Sequence, residues 1–224
     1  MTIEIKKYLE GARESEGITV MMDVFRASNT IINCLAAGAE YIIPVGELED
    51  AYKLKKDHPD HLLFGERNGI PPEGFDYDNS PAKSAQSDLK GKKIILTTSA
   101  GSQGILNSKN ADEILIGSFA NVQSVVDYLI QKDPEKVSLL AIGNNAIEPA
   151  TEDEECAEFI KSQLTGIETD FDQIKARILK SDGANRLKRL KQDEDLELCL
   201  KLNISDIIPI FDRKTGRIYK LTGF

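Results

Sequence analysis

The sequence predicts an α/β fold, a three-layer α/β/α arrangement with a mostly parallel sheet and a helical C-terminal segment. Short apolar runs alternate with amphipathic segments along most of the chain, which is the order expected of βαβ units. The apolar runs are nearly continuous, and such strands are typical of parallel sheets covered by helices on both faces. With 224 residues, 41% of them hydrophobic, the chain can form one domain over residues 1–224 with a large core.

Strands and helices follow one another through the first three quarters of the chain. Ile18 to Met22 is the first predicted strand, because it is apolar apart from one threonine and ends at Asp23. Gly38 closes the helix that follows, since glycine favours the residue after a helix. The other strands are predicted at residues 41–45, 62–65, 92–98, 113–117 and 136–142. The helices are predicted at residues 28–37, 47–56, 121–131 and 152–164, with a short helical turn at 102–107.

Two regions depart from this alternation. Residues 69–81 contain two glycines and three prolines, so they are predicted to form a long irregular loop, and such loops often carry function. Residues 170–202 are highly charged and almost wholly helical in pattern. Residues 206–211 and 217–221 are predicted to pair as a hairpin. Residues 166–224 are therefore a candidate helical and hairpin subdomain packed on the main sheet.

Charge and composition argue against several classes of protein. Lys and Arg number 28 against 37 Asp and Glu, a net charge of -9, which repels phosphate backbones, so nucleic acid is not an expected partner. No apolar run approaches the roughly 18 residues of a membrane span, and no signal-peptide pattern is visible. The cysteines contain no C-x-x-C pair and are predicted to be buried, reduced thiols in a cytoplasmic protein. They are Cys34, Cys156 and Cys199.

Common catalytic motifs are absent. Neither G-x-x-x-x-G-K-[ST] nor G-x-G-x-x-G occurs, and no cysteine precedes an arginine by six residues, as a cysteine phosphatase would need. His58 and His61 are interpreted as a solvated surface pair, and the charged run at 188–197 as a solvated helix face. With so few histidines and cysteines, oxygen ligands dominate, which suits Mg²⁺.

Polar residues gather where the predicted parallel strands end. Ligands of such sheets bind beyond the carboxyl ends of the strands, so we expect a polar site at this edge. The residues concerned are Asp23, Arg26, Gly65 to Arg67, Thr97 to Ser102, Gly117, Ser118 and Gly143 to Asn145.

One of these segments, T-T-S-A-G-S-Q-G at residues 97–104, connects a strand to a helix. Small and hydroxylated residues let backbone N–H groups approach an anion, and a helix start favours negative charge. An ordinary strand-to-helix turn has the same pattern, so both interpretations stay open. Glu152 and Asp153 likewise either stabilise the first turn of their helix, with Thr151 as its N-cap, or belong to the site.

Several motifs occur in a specific order. The chain has Asp-Val-Phe-Arg-Ala-Ser from residue 23, Gly-Glu-Arg from residue 65, Gly-Phe-Asp-Tyr-Asp-Asn-Ser-Pro from residue 74 and Gly-Ser-Phe-Ala-Asn from residue 117. Together with the loop at 97–102 and Ser-Asp-Gly from residue 181, they resemble the 2-phosphosulfolactate phosphatase (ComB) family over almost the whole chain. Ala100 departs from the family pattern, in which asparagine is usual.

The resemblance implies a phosphoric monoester hydrolase with a three-layer α/β fold that uses Mg²⁺ as its cofactor. Its small-molecule phosphorylated substrate would be 2-phospho-3-sulfolactate, on a route toward coenzyme M. Two alternatives stay open: a phosphatase for a different small phosphorylated acid, and a non-catalytic module that binds a phosphorylated metabolite. A homo-oligomer is a candidate assembly.

Particular residues are candidates for this chemistry. Asp23, Arg26 and Arg67 are predicted to be catalytic, with the arginines clamping anionic groups through paired hydrogen bonds. Asp23, Glu66 and Asp76 are predicted to hold Mg²⁺, because carboxylates gathered at one edge need a positive partner. The predicted substrate- and phosphate-binding residues are Asn79, Ser80, Thr97, Thr98, Ser99, Gly101, Ser102, Gly117 and Ser118.

Overall fold

The computed structural model describes residues 1–223 and is built around a nine-stranded sheet. The strands are β1 (Thr2–Lys7), β2 (Gly17–Met22), β3 (Tyr41–Pro44), β4 (Leu62–Gly65), β5 (Lys93–Thr97), β6 (Ala111–Gly117), β7 (Lys136–Ala141), β8 (Pro209–Asp212) and β9 (Arg217–Lys220). Their order across the sheet is β1-β7-β2-β6-β8-β9-β3-β5-β4.

The sheet consists of two parallel blocks joined by a hairpin. Strands β1, β7, β2 and β6 pair in parallel, as do β3, β5 and β4. The antiparallel hairpin β8–β9 lies between the blocks, with Ile210 opposite Leu115 of β6 and Ile218 opposite Ile42 of β3. The predicted hairpin therefore forms part of the main sheet, and the C-terminal residues complete the core.

Helices cover both faces of this sheet. They are α1 (Tyr8–Glu14), α2 (Ala27–Ala36), α3 (Leu48–Asp57), α4 (Pro81–Gln86), α5 (Gly101–Asn107), α6 (Val122–Lys132), α7 (Thr151–Thr165), α8 (Phe171–Ile178), α9 (Asp182–Arg189) and α10 (Asp193–Cys199). The stretch 170–202, predicted to be almost wholly helical, consists of the three helices α8, α9 and α10.

Alternation along β2 separates the two main hydrophobic layers. Val20 and Met22 belong to a core shared with α6, α7 and the tail helices, whereas Met21 belongs to a second core shared with α2 and α5. Successive strand side chains point to opposite faces, so a continuous apolar strand supplies both cores. The predicted three-layer α/β fold is confirmed.

The first fourteen residues contain a strand and a helix that the sequence pattern did not predict. In β1, Ile3 and Ile5 alternate with charged residues, and the strand pairs on one side with β7 at the sheet edge. An edge strand of this kind lacks the continuous apolar run of the central strands. Because β1 contains Lys and Glu residues, the pattern of apolar runs did not predict it as a strand.

Two other sequence interpretations can be compared with the structure. The three cysteines are buried free thiols, as predicted. The interpretation of His61 as solvated is wrong: its ring is buried and lies 3.0 Å from both the Tyr41 hydroxyl and the Asp60 carboxylate. Within residues 1–223, none of the helices combines the length and apolar character that crossing a bilayer requires.

Candidate active site

A cleft of about 230 Å³ lies at the carboxyl edge of the sheet. The segments that follow β2, β4, β5 and β7 meet there, and α7 and α9 complete the wall. Parallel strands bring their carboxyl ends to one edge, which explains why residues far apart in the sequence converge. The charged and amide side chains on the wall are Asp23, Arg26, Glu66, Asn68, Asn79, Asn144, Asn145, Glu152, Asp153, Arg186 and Gln192.

Three of these carboxylates are buried beside the ends of β2 and β7. Asp153 accepts hydrogen bonds from the Val24 N–H at 2.7 Å and the Gly143 N–H at 2.9 Å, and so ties the two strand ends together. Asp23 Oδ1 accepts from the Ala27 N–H at 3.2 Å, at the start of α2. Glu152 Oε2 is buried and has no hydrogen-bond partner within the described residues. Among the described residues, Glu152 thus contributes a buried acceptor without a partner beside the cleft.

Burial shifts the protonation of this carboxylate cluster. It raises the pKa of Asp23 to about 6 and, against the attraction of Arg186, that of Glu152 to about 7. Burial and the charges of Asp23 and Glu152 hold the pKa of Asp153 well above its usual range. Three like charges in a desolvated space repel one another. The cluster therefore favours either a bound proton or a bound cation.

Glu66 at the end of β4 organises two loops of the cleft. Its Oε1 accepts from the Ser99 N–H at 2.8 Å, and its Oε2 accepts from the Gly69 N–H at 2.7 Å and the Ser99 hydroxyl at 3.3 Å. These contacts connect the long loop after β4 to the segment after β5. The predicted anion-binding loop thus already contacts a carboxylate of the protein itself.

Two residues of the 97–102 segment bond to each other. Thr98 and Ser102 exchange backbone-to-hydroxyl hydrogen bonds of 3.1 Å in both directions. Gly101 lies against α2, where an added Cβ would be 2.6 Å from Ala27 Cβ and 2.9 Å from Asp23 Oδ2. From this segment, Ser99 and Ala100 reach the cleft wall. The segment holds Glu66 and Asp23 in place, and its predicted contact with a phosphate stays a prediction.

The structure separates two other candidates from the cleft wall. Arg67 donates to the carbonyl oxygens of Glu66 and Gly46 and to the Thr97 hydroxyl. Asp76 accepts from the Leu63 N–H at 2.7 Å, roughly 10 Å of strand before Glu66 at about 3.3 Å per residue. These are corrections to the predicted grouping: Asp76 does not join Asp23 and Glu66, because its loop returns to the beginning of β4.

The remaining predicted binding residues also differ in position. Asn79 lines the cleft, with its side-chain oxygen buried and unpaired within residues 1–223. Ser80 caps α4. Gly117 and Ser118 lie behind the wall, where a Cβ on Gly117 would be 2.5 Å from Val20 and the Ser118 hydroxyl accepts from Asn29. These two residues contribute to packing between β2, β6 and α2.

Sequence comparison decides which family this arrangement belongs to. A family model described as 2-phosphosulpholactate phosphatase matches residues 4–214. The chain belongs to that family. A relative from Carboxydothermus hydrogenoformans is 34% identical over 233 residues, covering 97% of this chain and 96% of the relative. One from Thermoplasma volcanium is 33% identical over 209 residues, covering 89% and 92%. Both carry the name "Probable 2-phosphosulfolactate phosphatase".

Membership of the 2-phosphosulpholactate phosphatase family confirms the resemblance drawn from the motifs, and the structure adds a residue that they did not single out. Arg186 on α9 lines the cleft, and its guanidinium donates to Asn144 Oδ1 at 2.6 Å and to the Phe25 carbonyl at 3.3 Å. The Ser-Asp-Gly motif just before it is the only nearby signal. Gly183 of that motif packs on Glu152, where a Cβ would lie 2.4 Å from Oε1.

Asp195 is the second residue that sequence reasoning missed. The interpretation of residues 188–197 as a solvated face is wrong for this side chain, which is buried and pairs with Arg26 at 2.6 Å. Its neighbours Glu194 and Glu197 are exposed. No local signal distinguishes it from them, because its burial depends on contacts with α4 and with the segment after β2.

The donor set of the cleft fits a magnesium ion in its chemistry. Asp23, Glu66, Glu152 and Asp153 supply hard oxygen donors, and one Glu152 oxygen has no hydrogen-bond partner among the described residues. Among residues 1–223, no three His, Cys, Asp or Glu side chains converge into a ready-made metal site. Mg²⁺ usually keeps several waters and takes one or two carboxylates together with substrate phosphate.

Proposed function

We propose that the chain is a Mg²⁺-dependent phosphatase that hydrolyses the phosphomonoester of a small anionic acid. The leading substrate is 2-phospho-3-sulfolactate, converted to 3-sulfolactate and phosphate. Family membership supports the reaction class, and the names of the relatives support the substrate. Coenzyme M formation, a cytoplasmic location and a homo-oligomeric assembly stay predictions.

The observation that carries the proposal is the mixture of charges in the cleft. Buried carboxylates of Asp23, Glu152 and Asp153 lie beside two guanidinium groups, Arg26 and Arg186. Phosphoryl transfer is catalysed mainly by positioning and by stabilising charge on the phosphoryl oxygens. Arginines suit anionic oxygens, and carboxylates suit a cation or a proton. One cleft thus contains both kinds of group that the reaction needs.

The chain's own residues have distinct roles in this proposal. Arg26 and Arg186 bind the oxygens of the phosphoryl, carboxylate and sulfonate groups, and Asn79 and Asn144 orient them. Asp23 is the leading metal ligand or catalytic carboxylate, with Glu66 and Glu152 as its nearest alternatives as ligands. Glu152, whose pKa is about 7, can hold or release a proton near neutral pH. Bound Mg²⁺ would supply neutralisation of the phosphoryl oxygens and polarisation of a water.

Phosphate release from a substrate panel tests this function. The panel consists of 2-phospho-3-sulfolactate, 2-phospholactate and 3-phosphoglycerate, each assayed with Mg²⁺ and with EDTA. We expect release that requires Mg²⁺ and a kcat/KM for the sulfonate-bearing substrate at least about tenfold above that for 2-phospholactate, because a site built for a charged group rejects an analogue without it.

The same panel distinguishes the alternatives. Faster release from 3-phosphoglycerate or 2-phospholactate would identify a phosphatase for a different acid. A ligand-induced rise in Tm without phosphate release from any compound would contradict a phosphatase and support a non-catalytic binding module. Equal rates of phosphate release with Mg²⁺ and with EDTA would contradict the proposed requirement for Mg²⁺.

A further inference from the structure

Asp195 makes three hydrogen bonds from a buried position at the start of α10. One carboxylate oxygen accepts from an Arg26 guanidinium nitrogen at 2.6 Å. The other accepts from the Ser80 hydroxyl at 2.6 Å and the Ala82 N–H at 3.0 Å. The Arg26 and Asp195 side chains are only 2% and 3% exposed. The Asp195 side chain thus holds two segments, at Arg26 and at Ser80, that are 169 and 115 residues away in sequence.

Both of these segments reach the cleft. Arg26 itself lines the wall, and Asn79, directly before Ser80, does so as well. A guanidinium has five N–H donors in a fixed plane, and the contact with Asp195 uses one of its terminal nitrogens. Fixing that nitrogen sets the plane in which the remaining donors can meet an anion.

Stability alone is a weak reason for such a pair. Removing two charges from water is expensive, and an apolar pair of similar volume often stabilises a protein equally well or better. A buried pair in contact with a ligand cleft is better explained by the geometry it imposes. Groups that orient a ligand-binding side chain commonly change activity by about 10–100-fold when they are replaced, as the outer partners of metal ligands do.

We propose that Asp195 is a positioning residue for phosphoester hydrolysis, which acts by fixing the Arg26 guanidinium and the Asn79–Ala82 segment at the cleft. This inference rests on the proposed function. It makes α10 part of the catalytic apparatus, although none of the α10 residues from Asp193 to Cys199 lies on the cleft wall.

A double-mutant cycle on the full chain tests the proposal. Asp195→Asn keeps the size of the side chain but replaces one acceptor oxygen with an NH₂ donor. The side chain can then no longer accept from both Arg26 and the Ser80–Ala82 segment. We expect kcat/KM for 2-phospho-3-sulfolactate, measured well below Tm, to fall about 10–100-fold. Tm is expected to fall as well, because the buried Arg26 guanidinium loses its charged partner. In the Arg26→Lys background the same change is expected to cost less than about threefold, because residues that act through one another are not additive.

The control variant is Glu197→Gln, an exposed carboxylate of the same helix, which is expected to leave kcat and KM unchanged. If Asp195→Asn fails to fold, Asp195→Glu replaces it: this variant keeps the charge and moves the carboxylate by one methylene. Positioning predicts that Asp195→Glu also loses activity, whereas wild-type activity in that variant would contradict the proposal.

A binding measurement separates this inference from the proposed function. The affinity for inorganic phosphate with Mg²⁺, measured by calorimetry, is expected to fall at least about tenfold in Asp195→Asn. If the wild-type chain binds phosphate but releases none from the panel, the proposed function fails while the positioning role is still measured. Unchanged phosphate affinity and unchanged kcat/KM in Asp195→Asn, or effects that add to those of Arg26→Lys, would overturn the role of Asp195.

Discussion

Asp23→Asn is expected to abolish Mg²⁺-dependent phosphate release while leaving the fold intact or more stable. The carboxylate is buried at the cleft, and loss of a positioned acid, base or metal-binding carboxylate lowers kcat/KM by about 100-fold to 10,000-fold. Asparagine is nearly isosteric, and its side-chain oxygen can still accept from the Ala27 N–H.

Asp23→Asn is also expected to change the thermal stability of the chain. Burial raises the pKa of Asp23 to about 6, so above that pH the folded chain holds a carboxylate in an unfavourable place. Replacing it with a neutral amide is expected to raise Tm at pH 8 by a few degrees, since about 1 kcal/mol shifts Tm by about 2–4 °C in a chain of this size. Asp112→Asn, on an exposed carboxylate, is the matched control. Surviving turnover in Asp23→Asn would show that this carboxylate is structural.

Without divalent cation, Tm is expected to fall as pH rises from about 4 to about 7. Asp23, Glu152 and Asp153 all have raised pKa values in the folded state, so the folded chain binds protons more tightly than the unfolded chain. Stability from such groups is complete below their unfolded pKa of about 4 and is lost as pH passes the folded values. Thermal unfolding across this range in EDTA measures the effect.

Magnesium is expected to reverse this loss at high pH. A cation that binds the deprotonated cluster competes with protons. A saturating concentration of Mg²⁺ should therefore raise Tm by several degrees at pH 8 and by little at pH 5. Glu152→Gln should flatten the pH dependence, whereas Glu49→Gln, an exposed change on α3, should not. A Tm that is flat or rises between pH 5 and pH 8 in EDTA would contradict the assignment of the cluster.

The sequence predicted the position of the cleft better than it predicted which residues line it. Asp23, Glu66 and Asn144 follow parallel strands, and the strand-end rule places them at one edge without knowledge of any side-chain contact. Asp76 lies in an irregular loop whose direction depends on a hydrogen bond to Leu63. No local pattern predicts that contact.

The C-terminal third illustrates the other limit of local reasoning. The charge and turn pattern predicts helices and a hairpin, and both are present. The insertion of β8 and β9 between β6 and β3 depends on pairing with residues far away in the sequence, such as Ile42 with Ile218 and Leu115 with Ile210. The burial of Asp195 likewise arises from tertiary packing, because its acidic neighbours are exposed.

The most direct test of the account is a crystal structure with Mn²⁺ in place of Mg²⁺ and tungstate in place of phosphate. Both scatter anomalously, and Mn²⁺ takes the same carboxylate ligands. We predict Mn²⁺ against Asp23 and tungstate in the same cleft, in contact with Arg26 or Arg186. Tungstate bound only elsewhere, for example beside Asp182 and Arg189 in the neighbouring cavity, or Mn²⁺ bound away from Asp23, would contradict the proposed active site.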